Sequence, residues 1–324
     1  MNNKSKMNSS ISLDLDNQWA YMQVHGDKGW EKYPSYLNKF LPHVLEMLDK
    51  YKLKITFFIV GKDADDPKNL DVMKEITNSG HEVGNHSYNH EAMFNSYSKE
   101  EILDELNRTE EAIEKVTGLL PQGFRGPGFT RSKTLFEVLK EKNYLYDAST
   151  LPTWIGPLAR WYYFRQSDLT KEEMKTREGL FGSFSEGLKS IKPFLWKLDN
   201  NEQLLEIPVS TIPVFKLPFH FSYLHYLAGA SVSLMKAYLQ TAITMCKITN
   251  TEPSFLLHPL DLIGGDLVPE LDFFPGMDLS TAYKTELFDI VMEKFTSNFN
   301  LLNMSEHAKL IMQRNETLPI KIHN

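Results

Sequence analysis

The apolar residues of this chain switch period repeatedly, from short strand-like runs to helical spacing and back, and that alternation restricts the folds open to it. Residues 11–16 alternate apolar and polar as a half-buried strand does. Leu37, Phe40, Leu41, Val44, Leu45 and Leu48 then share one face of a helix over 34–52. Residues 54–60 form an apolar strand rich in β-branched and aromatic side chains, and 67–79 a helix with Pro67 at its start and Gly80 past its end. A short strand over 81–85 precedes the capping box Ser98-Lys-Glu-Glu101, which opens a helix running to Thr117 before Gly118. Strands over 122–125, 144–148, 204–209, 255–258 and 300–303 interleave with helices over 132–142, 231–247 and 281–298, and Ser305 is expected to cap a last helix. Such β-then-α units imply parallel strands joined by right-handed crossovers. About seven of them favour an α/β protein with a closed or nearly closed barrel over an open sheet.

Residues 154–226 break the rhythm. They hold fourteen of the chain's 39 aromatics in 73 of its 324 residues, and nine bases nearly balance eight acids there. This stretch reads as an aromatic-rich insertion on a single barrel domain spanning 1–324, with no linker dividing the chain. The net charge of −7, without a basic run, argues against nucleic acid as a partner, because phosphate neutralisation needs clustered Lys and Arg. Cys246 is the sole cysteine, so neither an internal disulfide nor a thiolate metal cluster can form. The polar first ten residues lack the apolar core of a signal peptide, and no apolar run approaches the ~20 residues of a membrane span. A cytoplasmic protein is expected on those grounds.

Five polar features fall at predicted C-terminal strand ends, which share one face of a parallel barrel. Asp14-Leu-Asp16 places two carboxylates on one side of a strand, close enough to need a cation or a shared proton; as an isolated pattern it is more often two solvated acids at a turn. His86-Ser-Tyr-Asn-His90 directs two imidazoles the same way if a helical turn starts there, and two imidazoles with a carboxylate are a common zinc set. His81 is expected to pack or hydrogen-bond beneath that site. Arg125-Gly-Pro-Gly128 offers a guanidinium to orient a carboxylate and backbone N–H groups that a ligand can approach; a plain Gly-Pro turn explains the glycines but not the arginine. Tyr146-Asp147-Ala-Ser149 and Leu256-Leu-His258-Pro each add one titratable group. An isolated His258 would read as a core histidine.

Together and in this order, the five resemble the polysaccharide deacetylase family (the NodB-homology domain, carbohydrate esterase family 4), with an Asp-x-Asp variant of its first motif. The resemblance spans residues 12–258, and the His-Ser-x-x-His motif is its most specific part. It implies a deformed (β/α) barrel and a divalent metal, usually zinc, held by Asp16, His86 and His90. Asp14 would be the general base, His258 the general acid and the Gly128 N–H an oxyanion donor, with Arg125 and Asp147 orienting and tuning the acid and base. Leu15, between the aspartates, leaves open which of them binds the metal.

The implied reaction is hydrolysis of an N-acetyl amide on an amino sugar carried by a glycan, a lipid-linked or a nucleotide-linked saccharide. A related amide hydrolase, either a deformylase or a ureide/imide hydrolase, is the second reading. A glycan-binding barrel without turnover is the third, though such a module needs neither Asp14 nor His258. The aromatic insertion would line a glycan groove, touch a membrane surface, or simply pack on the barrel, with 193–197 and 215–221 the segments to watch.

Overall fold

The computed structural model describes residues 6–91, 93–166, 169–170, 172, 174, 183–314 and 317–323. Its strands are β1 (Met7–Leu15), β2 (Thr56–Ile59), β3 (Glu82–Asn85), β4 (Gly123–Phe124), β5 (Tyr146–Asp147), β6 (Phe194–Lys197), β7 (Gln203–Glu206), β8 (Ser254–Leu257), β9 (Phe299–Leu302) and β10 (Ile320–Lys321). Seven of them, in the order β7-β5-β4-β3-β2-β1-β8, run parallel as neighbours. The ladder does not close. Across the gap the Ser210 N–H, just after β7, donates to the Ser254 carbonyl of β8 at 3.0 Å. This is the deformed barrel that the family resemblance implies. β9 extends the β1 edge in parallel, β6 pairs antiparallel with β7, and β10 lies along β6.

The helices are α1 (Gln18–His25), α2 (Leu37–Lys50), α3 (Gly61–Asp65), α4 (Leu70–Asn78), α5 (Lys99–Thr117), α6 (Lys133–Glu141), α7 (Gly156–Gln166), α8 (Phe221–Ala230), α9 (Val232–Thr249), α10 (Thr281–Asn298) and α11 (Met304–Gln313). Each long one follows from a stripe visible in the sequence. α2 buries Leu37, Phe40, Leu41, Val44, Met47 and Leu48 against Ile11, Leu13 and Leu15 of β1. The intervening Ser10, Ser12 and Asp14 are buried as well, as befits a parallel strand covered on both faces. The Ser98/Glu101 capping box is present at α5. α9 and α10 pack Leu239, Ile243 and Phe295 on Phe255 of β8. Truncating Phe255 to alanine is expected to cost about 3–5 kcal/mol of stability, read as a lowered denaturant midpoint at unchanged slope.

Two expectations need correction. Asn303, not Ser305, caps α11, in a capping box with Glu306; the Ser305 N–H and hydroxyl are both taken by Glu82 at the foot of β3. The stretch 154–226 is not wholly an insertion, because it contains β7, a strand of the ring. Its aromatics divide: Phe194, Trp196, Phe219 and Phe221 are buried, whereas Phe215 is exposed. Trp196 stacks on Phe136 and meets Phe194 edge-on in a second core under β6 and α6, so the packing reading holds for that segment.

Candidate active site

The open end of the barrel, where the parallel strands finish, gathers the polar residues. β1 stops at Leu15, and the Asp16 N–H folds back to the Asp14 carbonyl at 3.0 Å. Both carboxylates lie in the mouth, but they serve different neighbours. Asp16 Oδ1 sits 3.4 Å from His86 Nε2 and 3.1 Å from His90 Nε2, and all three side chains are buried. Asp14 Oδ1 accepts from Arg125 at 2.9 Å, while its Oδ2 lies 4.0 Å from His258 Nε2.

The two imidazoles do not converge through a helical turn. After β3 the chain makes an irregular turn in which Ser87 and His90 take φ values of 61° and 52°. Side chains hold that left-handed geometry. Asn85 Oδ1 accepts the Ser87 N–H (2.9 Å), Ser87 Oγ the His90 N–H (3.1 Å), and Glu105 of α5 the N–H groups of Tyr88 (2.7 Å) and Asn89 (3.0 Å). His81 lies at the other end of β3, its Nδ1 accepting the Ile55 N–H at 3.1 Å.

The donor set fits a divalent metal. His86 Nδ1 is 2.6 Å from the Arg125 carbonyl, which can only accept, so that nitrogen carries the ring proton and Nε2 presents a lone pair to Asp16. Asp16 Oδ1 is buried with no hydrogen-bond partner. Lone pairs facing one another at this separation need a cation between them. The ligands of a tetrahedral zinc at ~2.05 Å would stand about 3.3 Å apart, close to the two separations found. Zinc is borderline-soft and takes this mixed nitrogen–oxygen set readily.

Arg125 is fully buried. Its Nε donates to the Ala148 carbonyl at 3.0 Å, and its guanidinium lies over the Phe58 ring at 4.6 Å, which aims Nη1 at Asp14. His258 follows β8 and faces the mouth rather than the core. Its ring is steered by Asp261, whose Oδ2 accepts the His258 N–H at 2.8 Å and stands 3.7 Å from Nδ1. Burial lowers the imidazole's pKa, but Asp261, and behind it Asp14 and Asp16, more than compensate and raise it to about 9. Asp261 itself is held down at about 2: burial raises it, and the contact with His258 prevails.

Gly128 lies exposed in the 3-10 turn Pro127–Phe129 with φ 56°. The turn enters through Gly126, where a Cβ would fall 2.0 Å from the Thr130 carbonyl, so only glycine fits. The Gly126 N–H donates to Ser149 Oγ (2.8 Å), and that hydroxyl donates to Asp147 Oδ1 (2.7 Å). Asp147 thus braces the Gly126–Gly128 turn; among the described residues its hydrogen-bond partners include neither Asp14 nor His258. Next to it Glu206 is buried, and that burial together with the Asp147 charge keeps its carboxyl protonated well above the ordinary value.

Two contributors escaped the reading of the sequence. Asp261 stands three residues beyond His258, and the only trace was a carboxylate at that spacing after a Pro-containing strand end. Tyr36, at the start of α2, donates its hydroxyl to the Asp16 carbonyl and fixes the backbone of that residue; a tyrosine ahead of an amphipathic helix carries no such signal.

Comparison with known proteins agrees with the family resemblance, over a stretch that holds His86, His90 and Arg125 but not Asp14, Asp16 or His258. The family model described as polysaccharide deacetylase matches residues 25–146. An uncharacterised protein of Bacillus subtilis, YlxY, is 35% identical over 105 residues, covering 32% of this chain and 32% of that protein. The peptidoglycan-N-acetylglucosamine deacetylase of Bacillus cereus is 33% identical over 89 residues, 28% of this chain and 31% of the relative. The chain therefore spans about a third of the length of these curated relatives. A solved structure from Mycobacterium smegmatis, assigned to the polysaccharide deacetylases, superposes with a TM-score of 0.60 at 18% identity, covering 98% of this chain and 94% of that one; this likeness concerns the fold.

Proposed function

Residues 25–146 carry the polysaccharide deacetylase signature, and from that premise we propose that the chain is a metal-dependent hydrolase that removes an N-acetyl group from an amino sugar. The observation that carries the reading is the division of labour at the mouth: Asp16, His86 and His90 form one buried ligand group, while Asp14 stands between Arg125 and His258. The metal is divalent, with zinc the best match to the donors. When bound, it supplies a Lewis acid that polarises the amide carbonyl and acidifies water.

The chain's own groups do the rest. Asp14 is held by Arg125 through Oδ1, so its Oδ2 can take a proton from the attacking water. His258 carries a proton at neutral pH and can hand it to the departing nitrogen, a poor leaving group without it. The Gly128 N–H is proposed as the donor to the developing oxyanion, and Asp147 acts on it only through Ser149 and the Gly126 turn. The substrate is an acetylated saccharide: a glycan, a lipid-linked or a nucleotide-linked one.

The test is acetate release from N-acetylated chito-oligosaccharides by the metal-loaded protein, with and without a chelator. Acetate that appears and is lost on chelation supports the reading. Formate from N-formyl sugars in its place would move the chain to the deformylases, and no release of either would leave a binding module.

The proton on His258 sets a pH dependence. Its pKa is raised, so the acid is present below about 9 and lost as pH climbs through that value. Turnover should fall on the alkaline side with a midpoint near there. In Asp261→Asn the largest raising influence goes, and the alkaline limb should move down toward the ordinary histidine value of about 6.5. An unmoved limb would remove His258 from the proton transfer.

A further inference from the structure

The part of the 154–226 stretch that lies outside the ring exposes a patch with no role in the chemistry above. Trp161 is 56%, Phe184 67%, Leu188 76% and Phe215 56% exposed, and Trp154 and Leu217 join them. The pieces form one surface. Gly187 lies under the Trp154 ring so closely that a Cβ would come within 2.1 Å of it. The Lys216 ammonium donates to the carbonyls of Gly187 and Lys189 and stands 5.7 Å from the Trp154 ring centre, which ties the segment carrying Phe215 and Leu217 to the turn carrying Phe184 and Leu188. α7, which carries Trp161, packs on the 184–188 turn. The surface springs from residues that follow the C-terminal ends of β5 and β7, so it belongs to the end of the barrel that bears Asp16, His86 and His90.

Its neighbours among the described residues include several cations. Arg165 lies over the Trp161 ring at 5.6 Å, Lys216 over Trp154, and exposed Lys192 follows Leu188. Among the described residues of the patch, Glu186 is paired with Arg131 and with Lys189 at 3.2 Å. Aliphatic Leu188 and Leu217 have nothing to offer the hydroxyls of a sugar, and the exposed hydroxyls beside Phe184, those of Ser183 and Ser185, bond each other at 2.6 Å. Tryptophan, phenylalanine and leucine ringed by Lys and Arg suit the headgroup region of an anionic bilayer. No helix among the described residues is long and apolar enough to cross a membrane.

We propose that this patch docks the barrel mouth on an anionic lipid surface, so that the acetylated saccharide it receives is one presented at a bilayer. The inference rests on the function proposed above and narrows its substrate. The full chain should co-sediment with vesicles of phosphatidylcholine mixed with phosphatidylglycerol, and far less with phosphatidylcholine alone. The double variant Phe184→Asp/Leu188→Asp should bind at least about tenfold more weakly, and Lys192→Ala about fivefold more weakly. Both should release acetate from a soluble acetylated oligosaccharide at the wild-type rate, which shows that they fold.

Wild-type protein that stays in the supernatant with both vesicle types, or a double variant that sediments like wild type, overturns the membrane contact. Binding to an insoluble acetylated glycan that the same variants abolish assigns the patch to polymer and overturns it as well. Vesicle binding by a chain that releases no acetate from any saccharide leaves the contact standing and removes the substrate.

Discussion

His86→Ala is expected to lose both the metal and the activity, with turnover falling by more than about a hundredfold. Removal of a mere outer-shell partner of a metal ligand already costs 10–100-fold, and His86 would contribute a ligand itself. The substitution also deprives the Arg125 carbonyl of its donor, a buried acceptor worth roughly 1–3 kcal/mol when left unpaired. Lost activity alone could therefore reflect a weakened fold. His90→Ala separates the two effects, because His90 Nδ1 makes no hydrogen bond among the described residues. It should lose the metal to the same extent with less loss of stability. Metal content by mass spectrometry, set beside denaturant midpoints, reads both. Unchanged metal in either variant would reassign the ligands.

Asp14→Asn is the complementary case. Its amide oxygen can still accept from Arg125, and Asp14 is no part of the Asp16, His86 and His90 group. Metal content should therefore persist while turnover drops by roughly 10²–10⁴, the usual worth of a positioned general base. A fully active Asp14→Asn protein would exclude Asp14 from the reaction. The mirror variant, Asp16→Asn, should instead release metal, and the contrast between the two answers the question that the inserted Leu15 leaves open. The structure bears on that question through neighbours: one aspartate is flanked by imidazoles, the other by a guanidinium and the catalytic-acid candidate.

What the sequence disclosed and what it withheld follow from range. β1, α2 and α5 were legible because periodicity and caps are local: the strict alternation of 11–16, the Leu/Phe/Val stripe of α2 and the Ser98/Glu101 box are each decided within a few residues. β4 and β5, of two residues each, were legible from their place in the repeat more than from their own composition. Placing the motifs at strand ends brought Asp14, Asp16, His86, His90, Arg125 and His258 to one mouth because all parallel strands finish on the same side.

Spacing arguments failed where side chains overrule backbone preference. An i,i+4 histidine pair suggests a helical turn, yet Asn85, Ser87 and Glu105 claim the backbone N–H groups and stabilise a left-handed turn that reaches the same end by another route. Ser305 looks like a cap, but Asn303 with Glu306 makes the better box, and Glu82, more than two hundred residues earlier, binds the serine. Asp147 lies at the expected strand end, yet the Ser149 hydroxyl two residues on takes its carboxylate, and the neighbour of His258 is Asp261. In the 154–226 stretch composition could not show which aromatics are buried, since Trp196 is covered by Phe136 from outside the stretch while Trp161 stays exposed.

The central claim is that Asp16, His86 and His90 hold one divalent cation, and anomalous diffraction at the zinc edge from crystals of the zinc-loaded protein tests it most directly. The account predicts one strong peak bonded to Asp16 Oδ1 and the Nε2 atoms of His86 and His90, with Asp14 outside its coordination shell. No peak among those three atoms, or a peak bound through Asp14 in place of Asp16, would contradict it.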